Sequence, residues 1–247
     1  MTGFQPLQEP KRRKAVAPFD TVQRVRNLLA GLDIFTVETF YPSANEGVSY
    51  SCSVALGDPP LLGAGFSVNG KGMSPRFALA SAYGELMERL SCGALLPQTV
   101  PPPDARELAV EDFVSQCPED MLKCLRVERE PLTACLREAL GDRITCVPFT
   151  DIQNGRAVML LELMIFDWCG TTGLCAGNTP QEAMLQGIME VFERYATRKL
   201  YQFPVTPPEI PQTIFEGTEV LGRLQALDGS FSIRDCSLGK EFPVVGL

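Results

Sequence analysis

Hydrophobic and polar positions follow two different periods along this chain, so both kinds of regular structure are predicted. Partial alternation of Thr, Val, Phe and Tyr, or a short continuous apolar run between turn residues, predicts strands. The strand-like segments are 34–41, 48–56, 63–69, 144–148, 157–163, 231–236 and 242–247. Apolar residues spaced three and four apart predict helices from near Thr21 to Gly31, within 104–140 and at 213–227. The pattern favours a fold that mixes helices and strands, α/β in the broad sense and α+β in its arrangement. We expect mixed or antiparallel sheets packed against helices.

Two further helical segments repeat each other. Residues 72–89 and 177–194 align without a gap at a constant offset of 105 residues. Both begin with Gly-x-Ser-Pro or Gly-x-Thr-Pro, carry an Ala six residues after the Gly, and end in Glu-x-x-Glu-Arg. A repeat of this kind indicates two equivalent elements built for one arrangement. We therefore expect an internal duplication with two equivalent Glu-x-x-Glu-Arg helices.

Each copy carries signals for the start of a helix. Ser74 and Thr179 stand at the N-cap position, and a Pro follows each of them at the first helical position. Thr179 and Glu182 also fit a capping box, in which the carboxylate reaches back to the N–H of the cap residue. Because apolar residues surround most of both helices, we expect both helices to be largely buried.

Polar side chains share one face of each helix, within about 80° in the second copy at 100° per residue. They are Ser81, Glu85 and Glu88 in the first copy and Glu182, Gln186, Glu190 and Glu193 in the second. Buried carboxylates need a compensating charge, and oxygen-rich sites suit Mg²⁺, which proteins usually share with substrate phosphates. A second interpretation is that each Glu-x-x-Glu-Arg motif only forms an i, i+4 ion pair that supports an exposed helix.

Composition excludes several classes of chemistry. The chain of 247 residues is 45% hydrophobic and 21% charged, as in soluble globular proteins, and its net charge of −8 disfavours nucleic-acid and anionic-membrane binding. It contains no histidine, which excludes histidine-based triads, dyads and metal sites within the chain. Nine cysteines without a C-x-x-C motif favour buried thiols in a reducing compartment over disulfides or structural zinc. With no long apolar run, the sequence predicts a cytoplasmic protein that does not cross a membrane.

Two glycine-rich stretches are candidates for phosphate binding. Residues 65–71 approach the spacing of a P-loop, but Gly72 stands where that motif requires Ser or Thr, which excludes a P-loop ATPase. The expectation that remains is a Gly-Lys-Gly turn over 70–72 whose backbone N–H groups face an anion. The loop 170–178, before the second repeat helix, is another place where backbone amides meet phosphate.

Domain limits follow from the same patterns. Residues 1–13 are predicted to be a flexible lead with basic residues at its end, and residues 14–247 to form one domain. Within it, 97–140 is expected to be a peripheral helical insertion that begins with a proline-rich linker. An apolar strand runs to the last residue, so we expect this domain to be incomplete at its C-terminus.

Together these motifs resemble the YcaO family. The resemblance rests on 69–72, Ser81, Glu85-x-x-Glu88-Arg89, 176–179, Glu182, Gln186 and Glu190-x-x-Glu193-Arg194. Residues 208–211 and 237–244 are similar in particular to the bacterial YcaO type. The resemblance, which covers about residues 14 to 247, implies a Mg²⁺-dependent ATP site unlike a P-loop. It also implies that ATP activates a peptide amide oxygen by phosphorylation, so that a thiol, hydroxyl or sulfide displaces it to give an azoline or a thioamide.

Carried over position by position, the resemblance implies a set of site residues. The implied Mg²⁺ ligands are Glu85, Glu88, Glu190 and Glu193, and no catalytic residue is assigned. The implied nucleotide contacts are Lys14, Thr21, Ser81, Asn178, Glu182, Gln186 and Arg194, with Glu182 at the nucleoside end. Thr21 stands where the relatives have Ser and keeps the hydroxyl. Further phosphate contacts of the family lie beyond residue 247, so we expect most of the nucleotide site here but not necessarily activity of this stretch alone.

The expected partners are a peptide or protein substrate, a sulfur-delivering or peptide-binding partner protein, and a second copy in a homodimer. Nucleic acid and membranes are not expected. Two other functions stay open. In one, the chain is a nucleotide-binding accessory protein that supports another enzyme's modification of a peptide or ribosomal protein, such as methylthiolation, with little turnover of its own. In the other, the glutamates are structural and the chain is part of a scaffold.

Overall fold

The computed structural model describes residues 14–41, 49–57, 67–93, 103–151, 154–161, 170–227, 229–239 and 242–247. They divide into two compact units. The first lies within Met1–Pro97 and Thr172–Leu247, and the second within Gln98–Thr171. Among the helices in the described ranges, none has the length and apolar character needed to cross a membrane. The predicted lead, residues 1–13, lies outside the described residues. The limits of the lead, the domain and the insertion stay predictions.

The first unit contains a three-stranded antiparallel sheet, in the order β1 (Thr36–Tyr41), β2 (Tyr50–Leu56) and β3 (Ser67–Gly72). Helices α1 (Pro18–Ala30) and α2 (Pro75–Ser91) pack with it around one apolar core. The combination of antiparallel strands and helices confirms the predicted fold class. α1 begins earlier than the predicted start near Thr21, because Pro18 at its first position has its φ preset for a helix.

α2 is the helix on which this core is built. The Ser74 hydroxyl accepts the N–H of Phe77 at 3.3 Å, which caps the helix as the sequence predicts. Its buried face consists of Ala78, Ala82, Tyr83 and Leu86, each 0% exposed. These residues are spaced four, five and eight positions from the first, so they form one stripe that faces β2 and β3.

Two glycines of β3 bring this strand close to α2. A Cβ on Gly70 would lie 2.0 Å from the Ala78 carbonyl oxygen, and a Cβ on Gly72 would lie 2.5 Å from the Ala78 nitrogen. The expected Gly-Lys-Gly turn over 70–72 is wrong. These residues form the end of β3 and pair with 50–52 of β2. Their backbone is therefore part of the sheet and does not form a turn that binds an anion.

A partly buried polar cluster joins α1, β1 and α2. The Arg26 Nε donates to Glu38 Oε1 at 2.8 Å, and the Tyr83 hydroxyl donates to the same oxygen at 2.5 Å. Burial raises the pKa of Tyr83, and the Glu38 carboxylate adds to this effect. Because the carboxylate is satisfied by both donors, the cluster fixes the three elements without leaving a charge unpaired.

The second repeat helix, α6 (Pro180–Gln202), departs from expectation in its burial. The Thr179 hydroxyl accepts the N–H of Glu182 at 3.2 Å, so the predicted cap is present. Gly187 and Ala196 are its buried residues, whereas Leu185 is 54% exposed. Its other large exposed hydrophobic residues are Met184, Ile188, Met189, Val191, Tyr195 and Tyr201. The prediction that both repeat helices are largely buried is therefore wrong for α6.

The offset of 105 residues suggests why the two helices differ. It relates α2 to the first part of α6, and it relates 50–56 of β2 to 155–161, which contains β6 (Arg156–Leu161). It also relates β3 to 172–177, and these residues are not in a strand. α2 packs on β3 through the two glycines, but at the matching place α6 meets a loop. The internal duplication itself stays an interpretation.

The second unit has its own sheet and core. β4 (Arg106–Ala109), β5 (Arg143–Asp151) and β6 form an antiparallel sheet in that order. Within its described residues the helices are α3 (Val110–Gln116), α4 (Glu119–Leu125) and α5 (Arg129–Leu140). Phe113, at 1% exposure, and the fully buried Cys146 lie in its core.

Thiol reactivity tests this second core directly. Burial raises the pKa of Cys146 to about 11, so only about one thiol in a thousand is ionised at pH 8. Cys124 and Cys135 are exposed. We expect iodoacetamide at pH 8 to alkylate Cys124 and Cys135 in the native protein and Cys146 only after denaturation, as measured by peptide mass spectrometry. If Cys146 in the native protein were alkylated as fast as Cys124 and Cys135, it would not be buried in this core.

The end of the first unit is made of short elements. A 3₁₀ helix (Gln212–Phe215) and α7 (Glu219–Gln225) replace the single helix predicted over 213–227. The predicted strand pair near the end is present, with β7 (Arg234–Asp235) antiparallel to β8 (Val245–Gly246).

Candidate functional site

The two Glu-x-x-Glu-Arg helices bring acidic side chains together. The side chain of Glu88 on α2 is 13% exposed. Its pKa is raised, first by burial and then by the negative charges of Glu85 on its own helix and Glu190 on α6, while Arg89 acts in the opposite direction. The charge of Glu190 on α6 thus acts on Glu88 of α2, and α2 also lies close to the loop before α6, where a Cβ on Gly84 would lie 3.8 Å from the Cβ of Ala176. We call Glu85, Glu88 and Glu190 the acidic centre.

Arginines and a backbone amide hold these carboxylates. The Arg89 Nη2 lies 3.4 Å from Glu85 Oε1, and its Nε lies 3.6 Å from Glu88 Oε1. On α6, the N–H of Gly173 donates to Glu190 Oε2 at 3.1 Å, and Arg194 Nη2 lies 3.6 Å from Glu190 Oε1. The i, i+4 pairs of the second interpretation are thus present, but the pair on α2 is mostly buried rather than solvated.

Arg89 also carries a polar atom that its surroundings leave unsatisfied. Its Nη1 is buried and has no hydrogen-bond partner among the described residues, although the same guanidinium contacts both glutamates of its motif. An unpaired buried donor is costly, so such a group commonly marks a place where another acceptor binds.

Other predicted site residues lie outside this acidic centre. Glu193 is exposed on α6 and is not among the charges that act on Glu88. Ser81 on α2 and Gln186 on α6 are also exposed. In the ranges that the structure describes, no three or more His, Cys, Asp or Glu side chains are arranged so that they alone would hold a metal ion.

The acidic centre nevertheless fits Mg²⁺. This ion is typically bound through one or two carboxylates, and phosphate oxygens and water complete its coordination. Glu88 and Glu190 offer oxygen donors, and burial together with the charges of Glu85 and Glu190 raises the pKa of Glu88, a cost that a cation would relieve. Glu88 and Glu190, with Glu85 beside them, are therefore the residues that would hold the ion.

A second group of predicted residues meets at the start of α6. The Thr21 hydroxyl donates to Asn178 Oδ1 at 3.0 Å. The Asn178 N–H donates to Glu182 Oε2 at 3.0 Å, and the N–H of Ala15 donates to Glu182 Oε1. The pKa of Glu182 is lowered, chiefly by the Ala15 amide, then by Asn178 and by the charge of Lys14. Lys14, Thr21, Asn178 and Glu182 are thus neighbours, and their assignment to the nucleotide stays a prediction.

The carboxylate of Glu182 departs from the predicted capping box. It bonds to the N–H of Asn178, one residue before the cap, rather than to that of Thr179. Two amides of loop 170–178 are therefore already bonded to carboxylates, that of Gly173 to Glu190 and that of Asn178 to Glu182.

Sequence reasoning missed three participants in these contacts. Ala15 and Gly173 contribute through backbone N–H groups, which any residue except Pro offers, so residue type gives no signal for them. Cys175 lies near both Glu88 and Glu190, whose charges join burial in raising its pKa. The usable sequence signal is Gly187, a glycine within a predicted helix, which is compatible with a close approach of another segment. In the structure a Cβ at this position would lie 2.8 Å from the Gly173 oxygen and 3.0 Å from the Cys175 sulfur.

Comparison with known proteins supports the sequence resemblance. Residues 69–247 match the profile of the family described as YcaO cyclodehydratase, ATP- and Mg²⁺-binding. Lys14 and Thr21 precede this range, so their assignment depends on the contacts with Asn178 and Glu182.

Two curated relatives are similar to the chain. One is the ribosomal protein S12 methylthiotransferase accessory factor YcaO of Escherichia coli (strain K12), 31% identical, with 72% of this chain and 34% of that protein covered. The other is an uncharacterized protein of Haemophilus influenzae, 30% identical with the same coverage. The chain therefore spans about a third of the length of these relatives.

A solved structure has the same fold. It is that of YcaO from Methanopyrus kandleri bound with AMPPCP and Mg²⁺, with a TM-score of 0.55 and 21% sequence identity. The match covers 90% of this chain and 54% of that one. The resemblance and the predicted cofactors, ATP and Mg²⁺, are confirmed at the level of the family: this chain belongs to the YcaO family.

Proposed function

We propose that this chain supplies a Mg·ATP site for the activation of a backbone amide in a peptide or protein. In this reaction the amide oxygen is phosphorylated, and a thiol, hydroxyl or sulfide then attacks the amide carbon and displaces phosphate. The product is an azoline or a thioamide. The observation that carries the proposal is the acidic centre, in which Glu88 on α2 is mostly buried, the charge of Glu190 on α6 acts on it, and the N–H of Gly173 holds the Glu190 carboxylate.

The residues of the chain have separate tasks in this proposal. Mg·ATP, when bound, supplies the phosphoryl group that makes the amide oxygen a leaving group. Glu88 and Glu190 hold the cation, and Glu85 and Glu193 add negative charge on the same two helices. Lys14 and Arg194 neutralise phosphate charge, whereas Ser81, Asn178 and Gln186 offer polar contacts to the nucleotide. Phosphoryl transfer depends mainly on positioning and charge neutralisation, so the lack of histidine is no obstacle.

A second candidate is an accessory role. The relative from Escherichia coli is named as an accessory factor of a methylthiotransferase that acts on a ribosomal protein. By analogy, this chain would bind nucleotide in support of another enzyme and turn over little ATP by itself.

One pair of measurements separates these functions. We expect isothermal titration of the purified protein with Mg·ATP to show one saturable site. Phosphate release is then measured on the same sample. Release well above a protein-free control supports the enzyme, whereas binding without release supports the accessory role. No binding, together with no shift in the melting temperature, would leave the glutamates with a structural role and would refute both functions.

The remaining expectations, about partners and cellular location, are also proposals. A peptide or protein substrate and a sulfur-delivering or peptide-binding partner protein follow from the proposed reaction. A homodimer and a cytoplasmic location stay predictions from the sequence, and light scattering of the purified protein tests the first of them.

A further inference from the structure

Glu182 already uses both oxygens of its carboxylate within the protein. Oε1 accepts the N–H of Ala15. Oε2 accepts the backbone N–H of Asn178 at 3.0 Å and its side-chain Nδ2 at 3.4 Å. Three protein donors leave this carboxylate about one of its four acceptor sites for a nucleoside, which is the contact that the family resemblance implies for it. Most of its hydrogen-bonding capacity is therefore used within the protein.

These bonds connect two distant parts of the chain. Ala15 and Glu182 are 167 residues apart, and the Thr21–Asn178 hydrogen bond at 3.0 Å spans 157 residues. Thr21, Asn178, Glu182 and Ala15 form one continuous series of hydrogen bonds. This series, which we call the N-terminal tether, joins residues 14–21 to the start of α6.

Residues 14–17 have few other means of being ordered. They precede α1, whose N-cap residue Ala17 offers no side-chain cap, and all of them except Val16 are exposed. From Val22 onward, α1 is anchored differently, because Val22 and Leu29 are buried in the core. Ala17 is held by α1, because its carbonyl oxygen accepts the Thr21 N–H at 3.1 Å. Among the contacts of the described residues, the tether is therefore what orders 14–16, whereas apolar packing orders α1 from Val22 onward.

We propose that Glu182 is a positioning residue that holds residues 14–21 at the start of α6 and so sets Lys14 and Thr21 in place for the nucleotide. This inference rests on the proposed function for its purpose, whereas the tether itself rests on the hydrogen bonds of Glu182 and Asn178. Lys14 is attached to the residue whose N–H the carboxylate binds. Loss of the carboxylate therefore frees the backbone beside Lys14, and it also removes the negative charge that faces the Lys14 ammonium. Ala15→Pro, described below, removes the backbone bond and keeps that charge.

Hydrogen exchange of the nucleotide-free protein tests the tether. We expect Glu182→Ala to speed amide exchange about tenfold or more in the peptide covering 14–21, while exchange in β1 to β3 and α2 stays unchanged. Gln181→Ala is the matched control, because Gln181 is the exposed neighbour of Glu182 in the same helical turn and should change neither region. Unchanged exchange over 14–21 in Glu182→Ala would overturn the proposal.

A second variant separates the tether from any fraying of α6. Ala15→Pro removes the donor N–H and leaves Glu182 and the α6 cap intact. We expect it to speed exchange over 14–21 as Glu182→Ala does, with exchange at 180–186 unchanged. If only Glu182→Ala has an effect, the carboxylate acts through the start of α6 and the tether is refuted.

Nucleotide affinity then tests the purpose of the tether. We expect both variants to weaken Mg·ATP binding by about 10- to 100-fold, as for other residues that orient ligands without contacting the bound group. Weaker binding in Glu182→Ala alone would mean that Glu182 contacts the nucleotide itself, which overturns the positioning role. If the wild-type protein does not bind Mg·ATP, the proposed function fails, and the exchange measurements still decide whether the tether exists.

Discussion

Glu190→Gln is expected to weaken Mg·ATP binding by more than about 100-fold and to abolish ATP turnover, while the fold stays intact. Changes in residues that only orient metal ligands already cost about 10- to 100-fold, so loss of a direct ligand should cost more. Gln has the same shape as Glu, and its carbonyl oxygen can still accept the N–H of Gly173. What it lacks is the negative charge that faces Glu88 and pairs with Arg194.

Titration calorimetry measures the expected loss of Mg·ATP affinity, and thermal unfolding measures whether the fold stays intact. Glu138→Gln is the matched control, because it removes the same charge from an exposed helical position in the second unit. It should leave both Mg·ATP affinity and melting temperature unchanged. If Glu190→Gln bound Mg·ATP as tightly as the wild type, Glu190 would not belong to the site.

The second large effect is on stability. Gly70→Ala should destabilise the first unit by about 3 kcal/mol or more, the upper end of the usual cost of overpacking. The added methyl group would lie 2.0 Å from the Ala78 oxygen and 2.3 Å from the Ala82 nitrogen. Both are backbone atoms of α2 and cannot rotate away. Gly70 is not among the residues with positive φ, so the cost comes from crowding rather than from backbone conformation.

Gly222→Ala is the control for this change. Gly222 lies in α7, and a Cβ there meets no atom within 4 Å. Because Ala favours a helix over Gly, this variant should be neutral or more stable by up to about 1 kcal/mol. Thermal unfolding should show a melting temperature lower by roughly 6–12 °C in Gly70→Ala only. Equal melting temperatures for both variants would mean that β3 and α2 are less closely packed than described.

Local signals predicted the parts of the fold that depend on neighbours in sequence. Ser74 and Thr179 cap their helices as expected, since an N-cap needs only a side-chain oxygen and an N–H three residues later. The Glu-x-x-Glu-Arg pairs were also predictable, because i, i+4 spacing alone brings their charges together.

Features that depend on distant residues were not predictable in the same way. Residues 70–72 carry glycines typical of a turn, yet pairing with 50–52 of β2 makes them a strand. The apolar residues of α6 predicted burial, but burial depends on what packs against a helix rather than on its own pattern. The bond from Ala15 to Glu182 crosses 167 residues and uses a backbone N–H.

The small size of Gly187 affects where the Glu190 carboxylate lies. Its missing Cβ leaves room for the Gly173 oxygen and the Cys175 sulfur, and the N–H of Gly173 binds the Glu190 carboxylate. Any larger residue at 187 would push this loop outward and carry the amide away from Glu190. The orientation of an acid on α6 is therefore governed by a residue that has no side chain, three positions earlier in the same helix.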